Sequence, residues 1–386
     1  MSDTKDTKKL VGEILHEILD AAKSGGPRTS VGLLSRGSEL GPEEMIRGGV
    51  LAQQENPGIR VVMIGPKPKN APELAWIETE DCEKDIADAM EKALKEKRIA
   101  GAVALHYPFP IGVTTIGRVL TPAKGKPMIL ASTTGTSSAL RGESMVLNAL
   151  YGVATAKAMG IQDPTVGILN VESAQPVFRA LNSLKEAGYP LTFGASLRKD
   201  GGSVLRGNDI LGGAVDVCVA DSLTGNVLIK MFASYSTGGG YEALGWGYGP
   251  SCGDKWPHVV SIISRASGAP VIANAVAFTA RVAAAGLPEL VQEELKKARK
   301  AGLDTVLEGF RPKAAAAEEV VTAPPAEPTD EEIHGVDVLE MENAARELWK
   351  AGIYAEAAMG CTGPVVKLNK KHEEQALEIL KKAGYI

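Results

Sequence analysis

The feature that most constrains this chain is an alternation between short, almost unbroken apolar runs and longer amphipathic segments. "SVGLL" (30–34), "IRVVMIGP" (59–66), "AGAVALHY" (100–107) and "KPMILAST" (126–133) are the first runs. Between and after them, "GPEEMIRGGVLAQQ", "DCEKDIADAMEKALKEK" and the stretch from about Glu143 to Met159 repeat their apolar residues at helical spacing. The habit then resumes. "TVGILNV" and "AVDVCVAD" read as strands, "AQPVFRALNSLKEAG" and "GNVLIKMFASYS" as helices. "APVIANAV" reads as a further strand, followed by the helix "LPELVQEELKKARKAG". Strands that are apolar on both sides are strands buried on both faces, and their alternation with helices predicts an α/β chain with mostly parallel sheets.

Length and punctuation divide the chain. At 386 residues it can hold two domains of ordinary size and a fragment. A helix is expected over 3–24, within an N-terminal segment 1–27. The first α/β lobe is expected over 28–162, completed by 268–305, and the second over 163–267, with the break near Gly160–Pro164. Residues 311–332, rich in Ala, Pro and Glu, read as an extended linker. Beyond it, 333–386 reads as a small lobe carrying Cys361.

Charge excludes some functions. The net charge of −5 gives no reason to expect nucleic acid, and no apolar run is long enough to span a bilayer. No secretory signal is visible, so a cytoplasmic location is the expectation. Cysteines stand at 82, 218, 252 and 361, in no metal-ligand spacing. No G-x-G-x-x-G follows the first strand, which argues against a dinucleotide enzyme.

Three segments carry polar chemistry. In "ADSLTGNVLIK" a strand ending at Asp221 runs through Thr224, Gly225 and Asn226 into a helix that bears Lys230. Free N–H groups at a helix start favour an anion, and a glycine lets phosphate approach; the plain alternative is a helix cap. In "STTGTSSALRG", Ser132, Thr133, Thr134, Gly135 and Thr136 precede Arg141 and make a second candidate cradle. The glycine-rich stretch 236–258 reads as a lid or structural loop, with Cys252 and His258 in it. His106 is a second candidate for acid–base work. Cys361, between Gly360 and Gly363, is the candidate nucleophile, because flanking glycines leave a sulfur uncovered.

"GAVDVCVADSLTGNVLIK", "TVGILNV" and "GSELGPEEMIRGG" together resemble the phosphate acyltransferases of phospholipid synthesis, themselves similar to phosphate acetyltransferases. With the appended "AAMGCTGPVV", the whole chain resembles the alpha subunits of component C of glycine/sarcosine/betaine reductase complexes. The resemblance implies the two-domain isocitrate/isopropylmalate dehydrogenase-like fold and a cleft for phosphate or acyl phosphate. It implies an acyl-accepting thiol at Cys361 and formation of acetyl phosphate from a cysteine-bound acetyl thioester, with no cofactor. It further implies a hetero-oligomer: a thiolase-like beta subunit, and a selenoprotein component A as carbon donor. Two other readings stay open: a coenzyme A or acyl-carrier thioester as donor, and a non-catalytic scaffold.

Overall fold

The computed structural model describes residues 28–199, 201–311, 321–336, 340–360 and 363–386. The helix expected over 3–24, residues 312–320 of the Ala/Pro/Glu-rich segment, and Cys361 itself lie outside the described residues.

In chain order the body contains β1 (Thr29–Leu34), α1 (Pro42–Glu55), β2 (Ile59–Gly65), β3 (Ala75–Glu78), α2 (Glu83–Lys95), β4 (Gly101–Ala104), β5 (Val113–Leu120), β6 (Pro127–Thr136) and α3 (Arg141–Ala158). It continues with β7 (Thr165–Leu169), α4 (Ala174–Glu186), β8 (Thr192–Phe193), β9 (Val204–Leu205), α5 (Gly207–Gly212), β10 (Val217–Val219) and α6 (Ser222–Ser234). After α6 come β11 (Gly249–Gly253), β12 (Val260–Ile262), α7 (Ala269–Ala284), α8 (Leu287–Lys300) and α9 (Leu303–Glu308). The C-terminal lobe holds β13 (Glu331–His334), α10 (Met341–Lys350), β14 (Ala355–Gly360), β15 (Gly363–Leu368) and α11 (Glu373–Ala383).

Among the described residues the body strands form one sheet in the order β3-β2-β1-β4-β12-β11-β5-β6-β10-β7-β8, with β9 also on β7. Pairing is parallel except where β11 meets β12 and β5, and where β5 meets β6. The expected mixed α/β class with a mostly parallel sheet is therefore observed. The three antiparallel steps have a consequence. The strands β1, β4 and β12 run one way, and β6, β10 and β7 run the other, so the carboxyl ends of the two groups open toward opposite ends of the sheet. Helix α3 is buried along nearly its whole length and packs on β6, β10, α4 and α8.

Four local expectations change. "APVIANAV" is the first half of α7, not a strand: Pro270 sits in its first turn, where a missing N–H is harmless, and the apolar run continues at helical spacing to Ala284. The run 132–136, read as a loop, is the end of strand β6. Residues 249–253 of the glycine-rich 236–258 form β11, fully buried between β12 and β5, so this part is sheet interior. Strand β5, "VTTIGRVL", was not expected, because its threonines, glycine and arginine break the apolar run.

In the C-terminal lobe the three strands lie in the order β13-β15-β14, with α10 and α11 covering a core that includes Ile333, Leu348, Val366, Leu368 and Leu380. Glu327 pairs with Lys371 at 2.7 Å, and the Asp330 carboxylate accepts the Lys370 N–H at 2.8 Å. The end of the Ala/Pro/Glu-rich segment is thus fastened to the lobe. Ile111 of the body packs against the lobe core. That contact seats the lobe along the β4–β5 connection.

Candidate functional site

The polar segments 132–136 and 221–226 do come together, because β6 and β10 are parallel neighbours whose carboxyl ends adjoin. Their polar groups are engaged inside the protein. The β5–β6 register jumps between Thr115–Thr134 and Ile116–Ala131, leaving Ser132 and Thr133 as a bulge. Ser132 Oγ meets Thr114 Oγ1 at 2.5 Å, and Thr133 Oγ1 donates to the Tyr248 carbonyl at 2.6 Å. Both residues are fully buried. Thr136 Oγ1 donates to the Ser138 carbonyl at 2.6 Å. The Thr134 carbonyl accepts from Thr114, and Gly135 (φ 73°) is the left-handed residue opposite Thr114 in the β5–β6 ladder.

Helix α6 closes onto this bulge. A Cβ on Gly225 would stand 1.7 Å from the Ser132 carbonyl oxygen, so glycine is what lets the helix approach. Asn226 Nδ2 donates to the Thr133 carbonyl at 3.0 Å, and is not held out toward a ligand. Asp221 caps the helix: its carboxylate accepts from the Thr224 N–H at 3.0 Å and from Thr224 Oγ1 at 2.6 Å. The helix start is therefore capped by an acid of the chain itself. Arg141 pairs with Glu172 beyond β7, while Lys230 is exposed two turns along α6, within electrostatic reach of Glu242. The polar groups of these two segments thus join β6 to α6.

The opposite end of the sheet carries a different set. Strands β1, β4 and β12 are adjacent and parallel, so the segments that follow them share one edge. After β1 the chain reads Ser35-Arg36-Gly37-Ser38; after β12 it reads Ser264-Arg265-Ala266-Ser267. Each loop leads into a helix with proline in its first turn. The two loops touch: the Glu39 N–H donates to the Arg265 carbonyl at 2.8 Å. Between them stands the segment after β4, with His106. Arg36 and Arg265 are exposed; Arg36 Nη1 meets Asp81 Oδ1 at 2.5 Å. Ser35 is buried, and its hydroxyl has no partner among the described residues.

The second loop is braced by the glycine-rich segment. Glu242, 4% exposed, accepts from Ser267 Oγ at 2.9 Å and exchanges backbone hydrogen bonds with Ala266 and Gly268. Burial raises its pKa against the hydrogen bonds from Ser267 and Ser264. Burial also lowers the pKa of His106, with smaller opposing effects from Glu83 and Glu332 and reinforcing ones from Arg265 and Lys367. Glu332 and Lys367 belong to the C-terminal lobe, where they pair at 2.9 Å. A Cβ on Gly360 would lie 3.1 Å from Glu332 Oε2, and Gly360 is the residue before Cys361. The lobe therefore faces the same edge as the two arginines.

Of the other thiols, Cys82 is exposed, while Cys218 and Cys252 are buried and pushed up to about 12 by that burial. Burial also lowers the pKa of His258, whose ring packs edge-on against Trp256. No group of three or more metal-ligating side chains is found among the described residues.

The sequence profile described as "Fatty acid synthesis protein" matches residues 29–367. The chain is also 49% identical, over 99% of both lengths, to the glycine/sarcosine/betaine reductase complex component C subunit alpha of Peptoclostridium acidaminophilum. The chain belongs to this family. A member of the fatty acid synthesis protein family, it is 27% identical over 236 residues to the phosphate acyltransferase of Thermotoga petrophila, covering 53% of this chain and 67% of that one. A branched-chain phosphotransacylase structure from Enterococcus faecalis V583 aligns with 66% of this chain and 99% of its own, with a TM-score of 0.48 and 15% identity. Among the described residues, no single helix is long and apolar enough to cross a membrane.

The arginines of the two Ser-Arg-x-Ser loops went unread in the sequence. The signal was there, as "LLSRGS" and "IISRAS", but only strand order shows that the two loops flank the same strand.

Proposed function

We propose that this chain transfers an acyl group from a thioester to phosphate, with the acyl group carried on Cys361 and the phosphate held at the edge formed by Arg36, His106 and Arg265. The observation that carries the reading is the pair of Ser-Arg-x-Ser loops on either side of the β4 segment, facing the lobe whose Gly360 precedes Cys361. Two guanidiniums suit a phosphate dianion by charge and by geometry. The kinship with component C alpha subunits and with phosphate acyltransferases supports acyl transfer as the reaction class.

In the forward step a phosphate oxygen attacks the thioester carbonyl carbon. The C–S bond breaks, the electron pair leaves on the Cys361 sulfur, and an acyl phosphate forms. A thiolate is a competent leaving group, and positive charge at the edge offsets the repulsion of bringing phosphate to a developing oxyanion. In the loading direction the thiol proton passes to His106, whose imidazole is neutral near pH 7 because burial lowers its pKa. We take the acyl group to be acetyl and the body to adopt the two-domain isocitrate/isopropylmalate dehydrogenase-like arrangement. We take the working assembly to include a thiolase-like beta subunit and a selenoprotein donor.

The test is arsenolysis of acetyl phosphate by the full chain reconstituted with its beta subunit. Cys361→Ser is expected to abolish it, and Arg265→Ala to raise the half-saturating acetyl phosphate concentration at least tenfold. Undiminished activity in Cys361→Ser defeats the thioester route. The phosphate acyltransferase relatives favour a second reading, in which a soluble acyl-carrier thioester reacts directly at the same edge. Turnover of acetyl-coenzyme A by Cys361→Ser would mark that one.

A further inference from the structure

The two arginines at the site edge are placed in different ways. Arg36 is gripped by its head group, which donates to the Asp81 carboxylate and carbonyl. The Arg265 loop is fixed along its backbone. On one flank the Arg265 carbonyl accepts the Glu39 N–H at 2.8 Å, and the Ala269 N–H donates to Glu44 Oε1 at 2.6 Å. On the other flank the loop is bound to a single residue, Glu242. The Glu242 N–H donates to the Ala266 carbonyl at 2.9 Å, and the Gly268 N–H donates to the Glu242 carbonyl at 2.9 Å. Its carboxylate accepts from Ser267 Oγ at 2.9 Å and from the Ser264 hydroxyl. The Glu242 segment is itself anchored, because the Ala243 and Leu244 N–H groups donate to the Ala233 carbonyl at the end of α6, at 2.8 and 3.1 Å.

Glu242 is 4% exposed. For stability alone a carboxylate at this depth is a poor choice, since apolar groups of the same shape in place of the acid and its partners can do as well. What the carboxylate adds is direction. The hydroxyls it holds belong to the residue before Arg265 and to the residue two after it, so one side chain closes the turn from both sides of the arginine. Ser264 Oγ also accepts the Ala266 N–H at 3.2 Å, tying the same turn across Arg265.

We propose that Glu242 is the positioning residue for Arg265, fixing the loop so that the guanidinium meets the phosphate group in one preset orientation. This rests on the reading that Arg265 holds phosphate at this edge. Glu242 touches no substrate and acts only through the loop. Removing it leaves Arg265 in the chain but makes phosphate binding bear the cost of ordering the loop.

Arsenolysis of acetyl phosphate by the full chain reconstituted with its beta subunit tests this. Glu242→Ala is expected to raise the half-saturating acetyl phosphate concentration roughly fivefold, with at most about a twofold fall in maximal rate, because preorganisation acts on binding. Glu242→Gln, whose amide oxygen still accepts from both serines, is expected to restore half-saturation to within about twofold of the wild type. Placed on Arg265→Ala, Glu242→Ala should add no further rise, since the group it positions is gone. Urea unfolding verifies that each variant is folded; if Glu242→Ala is not, Ser267→Ala, which removes one of the two hydroxyls, carries the same test. A folded Glu242→Ala with wild-type half-saturation, or one whose effect adds in full to that of Arg265→Ala, overturns the proposal while the phosphate edge stands. Arg265→Ala with unchanged half-saturation overturns the edge, and the positioning role with it.

Discussion

Replacing Gly225 by alanine separates two accounts of the "LTGN" turn. If the glycine exists to let phosphate near a helix start, alanine should leave the fold intact, and its higher helix propensity should add up to about 1 kcal/mol of stability. The structure gives the opposite sign. The new Cβ would stand 1.7 Å from the Ser132 carbonyl oxygen and 2.9 Å from its carbon, both backbone atoms of the bulge. Ordinary contact lies near 3.5 Å, so α6 and β6 must separate by roughly 1.5 Å. Overpacking of this kind costs about 1–3 kcal/mol. Separation also strains the 3.0 Å bond from Asn226 to the Thr133 carbonyl, worth about 1 kcal/mol. After the helix-propensity gain, Gly225→Ala is expected to lose about 1–3 kcal/mol. Urea unfolding followed by tryptophan fluorescence reads this as a lower midpoint at unchanged slope. A midpoint that rises, together with weakened phosphate saturation, would refute the structural account and restore the cradle.

Three further outcomes are expected. Glu294, 1% exposed, accepts from Lys157, Lys297 and Tyr189 at 2.8 Å each; Glu294→Ala should cost about 1–3 kcal/mol, chiefly by leaving the buried Tyr189 hydroxyl unpaired, measured by the same unfolding. Burial alone would raise the pKa of Glu294, but the bonds from Lys157, Lys297 and Tyr189 outweigh it and depress the folded value. Its contribution is therefore present above the unfolded glutamate range and lost as pH falls through the lower folded value, so Glu294→Gln should flatten the acid side of the stability–pH curve. Iodoacetamide applied to the native protein should label Cys82 and spare Cys218 and Cys252, whose thiols are buried and pushed up to about 12; labelling of either at the Cys82 rate would contradict their placement.

Much of the architecture could be read from residues alone, because strands buried on both faces announce themselves as unbroken apolar runs. Thr165–Leu169 and Ile59–Gly65 are examples. The failures share a cause. "APVIANAV" is as apolar as a buried strand, and only its continuation to Ala284 distinguishes a core helix. "GPSCG" resembles a loop, yet it is the strand joining the two halves, held by pairing with residues more than a hundred positions away. The candidate site followed the same logic. Ser132, Thr133 and Asn226 adjoin at the carboxyl ends of β6 and β10, and the sequence does not show that neighbouring carbonyls and hydroxyls bond their polar groups. Arg36 and Arg265 are far apart in the chain and meet only through the order β1-β4-β12.

The most direct measurement of the proposed chemistry is peptide mass mapping of the full chain after incubation with acetyl phosphate, quenched in acid to preserve thioesters. One acetyl group on the peptide containing Cys361, removed by adding phosphate and slow to appear in Arg265→Ala, is the expected result. A Cys361 peptide that stays unmodified while the reconstituted complex turns over acetyl phosphate would contradict it.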